Sequence, residues 1–215
     1  MKKSYAVFGL GRYGTTIVQE LLKNGAEVLA VDIDEEVVEQ AKNSIPVCKC
    51  ADVTNIEVLT QLGITNIDTV IITMANHLEE SVMAVMLCKE LGVPTVIVKA
   101  ATEFNKKILL KVGADRVVVP ENESGIRLAK EVLNSGFIDI VDISNKISMV
   151  ELEVHDNWVG KNLIELDLRK KYAINVVAIK TGDEVIISID PAMPLTKEML
   201  LLVIADVSQI SKLMK

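Results

Sequence analysis

GLGRYG, residues 9–14, stands between an apolar run, YAVF (5–8), and the amphipathic stretch TTIVQELLKNG (15–25). Three glycines in a strand–turn–helix setting read as a phosphate-binding turn. Gly9 permits the tight turn, Gly11 lets backbone approach a phosphate, and Gly14 allows the helix to pack close to the strand. The acid that such a motif needs is Asp32, 18 positions after Gly14 at the end of EVLAVD (27–32). Its carboxylate can accept hydrogen bonds from ribose hydroxyls, and its charge opposes a 2′-phosphate, which disfavours NADP. Arg12 is the unexpected residue. A helix N-terminus carries roughly half a positive charge, so a cation there is disfavoured unless it reaches an anion.

Working outward, strand and helix patterns alternate as far as residue 135. Strand-like SYAVFG (4–9), EVLAVD, PVCKC (46–50), IDTVIITM (67–74), PTVIVKA (94–100) and DRVVVP (115–120) are separated by helical segments at 12–23, after Asp34, and at 55–62, 77–91, 103–112 and 122–134. Six strands interleaved with helices imply an α/β fold, a Rossmann-like doubly wound parallel sheet. From 136 the character changes. GFIDIVDISNKI (136–147) reads as a hinge. SMVELEV (148–154), a helical turn around 162–172, INVVAIK (174–180), EVIISI (184–189), MLLLVIA (199–205) and a last turn VSQISKLMK then suggest a small α+β domain. The expected organisation is therefore 1–135, a linker 136–147, and 148–215.

Composition narrows the function. Of the 215 residues half are hydrophobic but only 3% aromatic, so the core must be aliphatic, as buried parallel strands prefer. The net charge of −7 and pI near 5.0 argue against nucleic-acid binding. Mean hydropathy is positive, +0.35, yet no apolar run approaches the roughly 18 residues a membrane span needs. The chain enters a strand almost at once, leaving no signal-peptide core, and the expectation is a cytosolic protein. Cys48 and Cys50, in a strand-like C-x-C, together with Cys88 read as buried structural thiols.

Further candidates fall at the carboxyl ends of strands, where ligands bind in such sheets. Asp52 follows the third strand, as ligand contact or as turn acid; Ala75 follows the fourth. Lys99 ends the fifth, and a lysine there must either snorkel to the rim or meet an anion. Glu121 follows the sixth. A carboxylate beside a phosphate site is repulsive unless a divalent cation bridges the two or it belongs to a neighbouring subunit's site. Leu10, Tyr13, Ile33 and Val53 complete the expected site. A dehydrogenase reading, the main alternative, lacks an evident acid or base and a substrate domain. A transcriptional NAD(H) sensor lacks a DNA-binding module. A nucleotide pocket without chemical machinery reads as a sensor, not an enzyme.

GLGRYG, AVDID (30–34), CADVTN (50–55), VIITMANHLEES (70–81), VIVKAATEFNKKILLKVGADRVVVPE (96–121) and LIELDLRKKYAINVVAIK (163–180) closely resemble the RCK proteins, regulators of potassium conductance, of the Ktr/Trk uptake systems. The resemblance covers nearly the whole chain. It implies an N-terminal domain that binds ATP or ADP, and sometimes NAD(H) as in Trk-type regulators. It also implies dimers assembled into a homo-octameric ring on the cytoplasmic face of a membrane potassium-translocating subunit. In that pattern Arg12 contacts phosphates and senses the γ-phosphate, Asp32 holds the ribose, Lys99 lies in the pocket, and Glu121 helps place Mg2+ or another divalent cation. Several relatives bind cyclic di-AMP at a dimer interface of the C-terminal domain; Arg169, Asn175, Val176 and Pro191 fall in the corresponding region. Arg169 has a local alternative, pairing with Asp167 or capping a helix.

Overall fold

In a computed structural model, which describes residues 3–133, 137–144, 147–206 and 209, the run before the glycine turn forms strand β1 (Ser4–Phe8) and the segment after it helix α1 (Arg12–Lys23). The alternation continues through β2 (Glu27–Asp32), α2 (Glu35–Ala41), β3 (Cys48–Cys50), α3 (Ile56–Gln61), β4 (Thr69–Ile72), α4 (Leu78–Glu90), β5 (Thr95–Lys99), α5 (Glu103–Val112), β6 (Arg116–Val118) and α6 (Pro120–Leu133). The strands pair in parallel in the order β3-β2-β1-β4-β5-β6. The order reverses between β1 and β4, and a doubly wound sheet opens its crevice at such a switch point. The chain divides into two compact units, Met1–Glu123 and Ser124–Lys215.

Both faces of the parallel sheet are covered, because neighbouring strand residues point to opposite sides. Val7, Val28 and Ala30 pack with Val18 of α1 and Val38 of α2. Ala6, Phe8, Val70, Ile72, Val96 and Val98 pack with Leu59 of α3, Val85 and Cys88 of α4, and Leu109 of α5. Each Val, Leu, Ile or Phe side chain among these contributes about 1.5–3 kcal/mol when fully buried. Local chemistry starts the helices. Asp34 accepts from the backbone N–H of Glu36 at 2.9 Å, Asn55 from that of Glu57 at 2.8 Å, and Thr102 from that of Asn105 at 3.1 Å. Each cap contributes about 1 kcal/mol.

The second unit is an antiparallel sheet of β7 (Phe137–Asp142), β8 (Ile147–Glu153), β9 (Asn175–Thr181), β10 (Glu184–Ile186) and β11 (Met199–Asp206), in the order β10-β9-β11-β8-β7. Val150, Leu152, Leu201, Val203 and Ile179 bury against Trp158, Leu195 and Leu166 and Leu168, which belong to two short helices, α7 (Leu163–Leu166) and α8 (Leu168–Tyr172). Asn162 and Glu165 form a reciprocal capping box at α7.

Several expectations shift. The segment read as a hinge contains β7, paired with β8. EVIISI yields a strand only over Glu184–Ile186. The expected last turn lies outside the described residues apart from Gln209. Cys50 is not a buried thiol: Cys48 is 7% exposed, whereas Cys50, at the open end of β3, is exposed and points its Sγ at the Ile33 carbonyl, 3.4 Å away. Among the described residues no helix is long and apolar enough to cross a membrane.

Candidate functional site

The crevice at the β1/β4 switch point is organised by backbone. Gly9 has φ +92°, a left-handed conformation that glycine adopts without penalty. Its N–H donates to the Val31 carbonyl at 2.8 Å, and its own carbonyl accepts from the Thr73 hydroxyl at 2.8 Å. A Cβ at Gly14 would lie 2.0 Å from that same carbonyl oxygen. The loop is thus clamped between β2, β4 and α1 at the separation that only a glycine at 14 permits. Gly11 differs, since nothing lies within 4 Å of where its Cβ would be. It is the N-cap of α1, without a side-chain cap or an acid in the first turn. The first N–H groups of α1 therefore face an open space, a ready site for an anion.

Asp32 closes one end of this space. Its Oδ2 accepts from the Leu10 N–H at 2.5 Å and its Oδ1 from the Asp34 N–H at 3.0 Å. The carboxylate is fixed to the glycine loop by these bonds, and each oxygen keeps a lone pair for a further donor. Leu10 itself belongs to the core, 5% exposed, and contributes its backbone N–H to holding Asp32.

Two adjoining cavities make the crevice. One, about 370 Å3, is lined by Gly9, Asp32, Ile33, Asp52, Val53 and Ala75 among others. The other, about 650 Å3, is lined by Arg12, Tyr13, Gly14, Lys99 and Glu121 among others. Gly11, Thr73, Ala75 and Asn76 line both, so they form one cleft across the N-terminus of α1. Their volumes lie in the range typical of small-molecule sites. Ile33, 69% exposed, offers apolar surface at the Asp32 end. Asp52 lines the same end while accepting from the Thr54 hydroxyl (2.6 Å) and N–H (2.9 Å), bonds that hold its carboxyl below the usual range. That is the local geometry of a turn acid, at the edge of the cleft.

The opposite end carries the charges. Arg12, the first residue of α1, is exposed, and its side chain makes no hydrogen bond or ion pair among the described residues. Lys99 has met its anion: its side chain is only 16% exposed, and its Nζ lies 2.6 Å from Glu121 Oε1 and 5.3 Å from the centre of the Tyr13 ring. The Lys99 hydrogen bond is the main reason the Glu121 carboxyl sits below its ordinary range. Among the described residues no group of three or more His, Cys, Asp or Glu side chains could by itself hold a metal ion. A cation at Glu121 would take its remaining ligands from phosphate oxygens and water, as Mg2+ commonly does.

Sequence reasoning missed Thr73, Met74, Asn76, His77 and Glu80, all of which line the cleft. The signal for them was their position between β4 and the first turn of α4, across the switch point from the glycine turn. In the second unit Arg169 is exposed on α8, Asn175 and Val176 begin β9, and the Pro191 carbonyl accepts weakly from the Ile164 N–H at 3.4 Å. The chain places Arg169, Asn175 and Val176 close in sequence around the α8–β9 connection.

Comparison with known proteins identifies the family. Residues 5–120 match the TrkA-N domain family, and residues 147–215 the TrkA-C domain family. The chain is 39% identical over 215 residues to the Ktr system potassium uptake protein C of Bacillus subtilis, covering 100% of this chain and 97% of that protein. It is 36% identical over 189 residues to the Ktr system potassium uptake protein A of the same organism, 88% of this chain and 85% of that one. Among solved structures the GsuK channel superposes with a TM-score of 0.72 at 16% identity, covering 99% of this chain and 39% of the GsuK chain. At that identity the likeness speaks for the fold.

Proposed function

The chain belongs to the RCK family, whose members pair a TrkA-N with a TrkA-C domain, and from that premise we propose that it is a regulatory subunit that senses adenine nucleotides and gates a membrane potassium-uptake subunit. One observation carries the reading. A single cleft joins Asp32, fixed by the glycine loop, to the exposed Arg12 across the uncapped N-terminus of α1. Asp32 suits ribose hydroxyls, the open N–H groups of α1 suit phosphate, and Arg12 suits a phosphate further out. Ile33, Val53 and Ala75 supply the apolar contacts an adenine ring needs.

Gating requires binding, not turnover. A ligand shifts an equilibrium between two shapes only through its differential affinity for them, and Arg12 is placed to make that affinity depend on the terminal phosphate. The protein acts at the cytoplasmic face through its membrane partner, in a ring built from copies of itself. Mg2+ or a similar cation reaches the site with the nucleotide and engages Glu121. Cyclic di-AMP is a second proposed ligand, at Arg169, Asn175, Val176 and Pro191, supported by the exposure of Arg169 beside the start of β9.

Thermal stability of the purified protein against ATP, ADP, NAD, NADH and cyclic di-AMP, each with and without magnesium, tests the reading. A ligand specific for the native state raises the melting temperature by mass action, with about 2.7 kcal/mol at a hundredfold excess over Kd. Stabilisation by ATP and ADP, with ATP responding to magnesium, is expected. A response to NAD or NADH alone would replace the adenine-nucleotide sensor with an NAD(H)-sensing regulator.

A further inference from the structure

The geometry points to Glu121 as a built-in competitor for Lys99, holding this ammonium away from the ligand until a phosphate or a cation displaces it; the inference rests on the nucleotide reading above. The cleft contains two cations in opposite states. Arg12 is exposed and has no partner among the described residues, and can meet a phosphate without giving one up. Lys99 is largely enclosed, and an enclosed ammonium is costly without an anion. Glu121 supplies that anion at 2.6 Å, and the Tyr13 ring, 5.3 Å from Nζ, stands beside the ammonium.

The two partners are unequal. Glu121 is 66% exposed, against 16% for Lys99, so water can take over the carboxylate but not the ammonium. Glu121 is also in the first turn of α6, where an acid keeps a favourable interaction with the helix end after Lys99 leaves. Release is therefore inexpensive on the Glu121 side, and it requires a replacement anion on the Lys99 side. A highly charged phosphate group can provide one; an uncharged nucleoside cannot. A divalent cation on Glu121 would push the same exchange forward. Lys99 and Glu121 thus set a threshold in ligand charge, superimposed on whatever Arg12 contributes.

Equilibrium binding of ATP, ADP and adenosine to the full-length protein in chelator tests this on the wild type, Glu121→Gln, Lys99→Met and the double variant. Glu121→Gln is expected to tighten ATP about two- to fivefold, the worth of a partly exposed ion pair, to tighten ADP less, and to leave adenosine unchanged. The gain should vanish in the Lys99→Met background. The double variant removes both charges together, which covers the case in which Glu121→Gln alone disturbs folding by stranding the enclosed Lys99 ammonium. Unchanged or weaker ATP binding by Glu121→Gln, with wild-type binding intact, overturns the exchange and leaves the nucleotide reading standing. An equal gain in both backgrounds also overturns it, because Glu121 would then act on phosphate through its own charge. Failure of the wild type to bind any adenine nucleotide refutes the sensor and the exchange together.

Discussion

Gly14 and Gly11 belong to the same turn and should respond oppositely to the same added methyl group. At Gly14 a Cβ would meet the Gly9 carbonyl oxygen at 2.0 Å and the Thr73 hydroxyl at 2.8 Å. Neither obstacle is a flexible side-chain end. Gly9 is tied to Val31 and Thr73 by hydrogen bonds of 2.8 Å, so α1 must move away from β1. Overpacking of this kind costs about 1–3 kcal/mol, and losing the Thr73 hydrogen bond adds about 1 kcal/mol. Alanine's better helix propensity returns roughly 1 kcal/mol. Gly14→Ala is therefore expected to destabilise by about 1–3 kcal/mol, or roughly 4–12 °C for a unit of this size. At Gly11 the backbone is extended (φ −62°, ψ −178°) and the space beyond is empty, so Gly11→Ala should cost no more than about 1 kcal/mol, the preference for glycine over alanine at an N-cap. The methyl would instead occupy the approach to the α1 N–H groups and weaken ATP binding by tenfold or more, the cost of about 1.4 kcal/mol of crowding. Urea unfolding followed by circular dichroism, with Trp158 fluorescence separating the second unit, gives the first quantity; calorimetric titration gives the second. Gly14→Ala as stable as wild type, or Gly11→Ala binding ATP normally, would refute the geometry of the turn.

Further outcomes test other parts of the structure. Arg12→Ala should melt with wild type, because the side chain has no partner to lose among the described residues, yet bind ATP about 10–100-fold more weakly and ADP much less so; an unchanged ATP/ADP ratio removes Arg12 from phosphate sensing. Cys50 should be modified rapidly by a thiol reagent near pH 8, whereas burial pushes the Cys88 thiol up to about 12, so Cys88 should react only after unfolding; peptide mapping of the labelled protein decides this. Asp34→Ala should cost about 1 kcal/mol by stripping the cap from α2, measurable as a shift in urea midpoint without loss of ligand binding. Leu201→Ala, at a fully buried position of β11, should cost about 2–5 kcal/mol in the second unit and be seen directly in Trp158 fluorescence.

The parallel sheet was legible because its signals are local and repeated. Apolar runs alternate with helical segments, side-chain caps open α2, α3 and α5, and a glycine follows α1, α3, α4 and α5; each signal can be read without knowing what the segment packs against. The small second unit was harder. Its strands pair over long sequence distances, as with Leu201 opposite Leu152, and β7 was mistaken for a linker because its partner, not its own pattern, makes it a strand. Cys48 and Cys50 show a different limit. Alternation put both on one face, but burial depends on where the covering helix stops, and α2 protects only the first. At the site, Gly9, Gly11 and Asp32 could be assigned from spacing. Thr73 could not, since its importance lies in clamping a carbonyl 64 residues away in sequence. Lys99 and Glu121 each looked misplaced alone, and only their 2.6 Å separation resolves both.

Helix capping divides the first unit in a way that bears on function. α2, α3 and α5 carry side-chain caps, supplied by Asp34, Asn55 and Thr102, and none of those three residues lines the cleft. α1 and α4 begin at Gly11 and His77 without side-chain caps, and both of these residues do line it. An omitted cap forgoes about 1 kcal/mol of stability, which is a loss unless a ligand can take the place of the cap. For α4 the deficit is partly made up within the chain, because Glu79 and Glu80 occupy its first turn. For α1 nothing of the kind is present: the first turn holds no acid and begins with Arg12, which adds a positive charge to the positive end of the helix. Every local choice at that terminus therefore raises the stabilisation an anion would bring on arrival. Energy withheld from the empty state and recovered on binding is what couples ligand to conformation, so the position of Arg12, unfavourable for the isolated helix, is the one the proposed phosphate sensing would require.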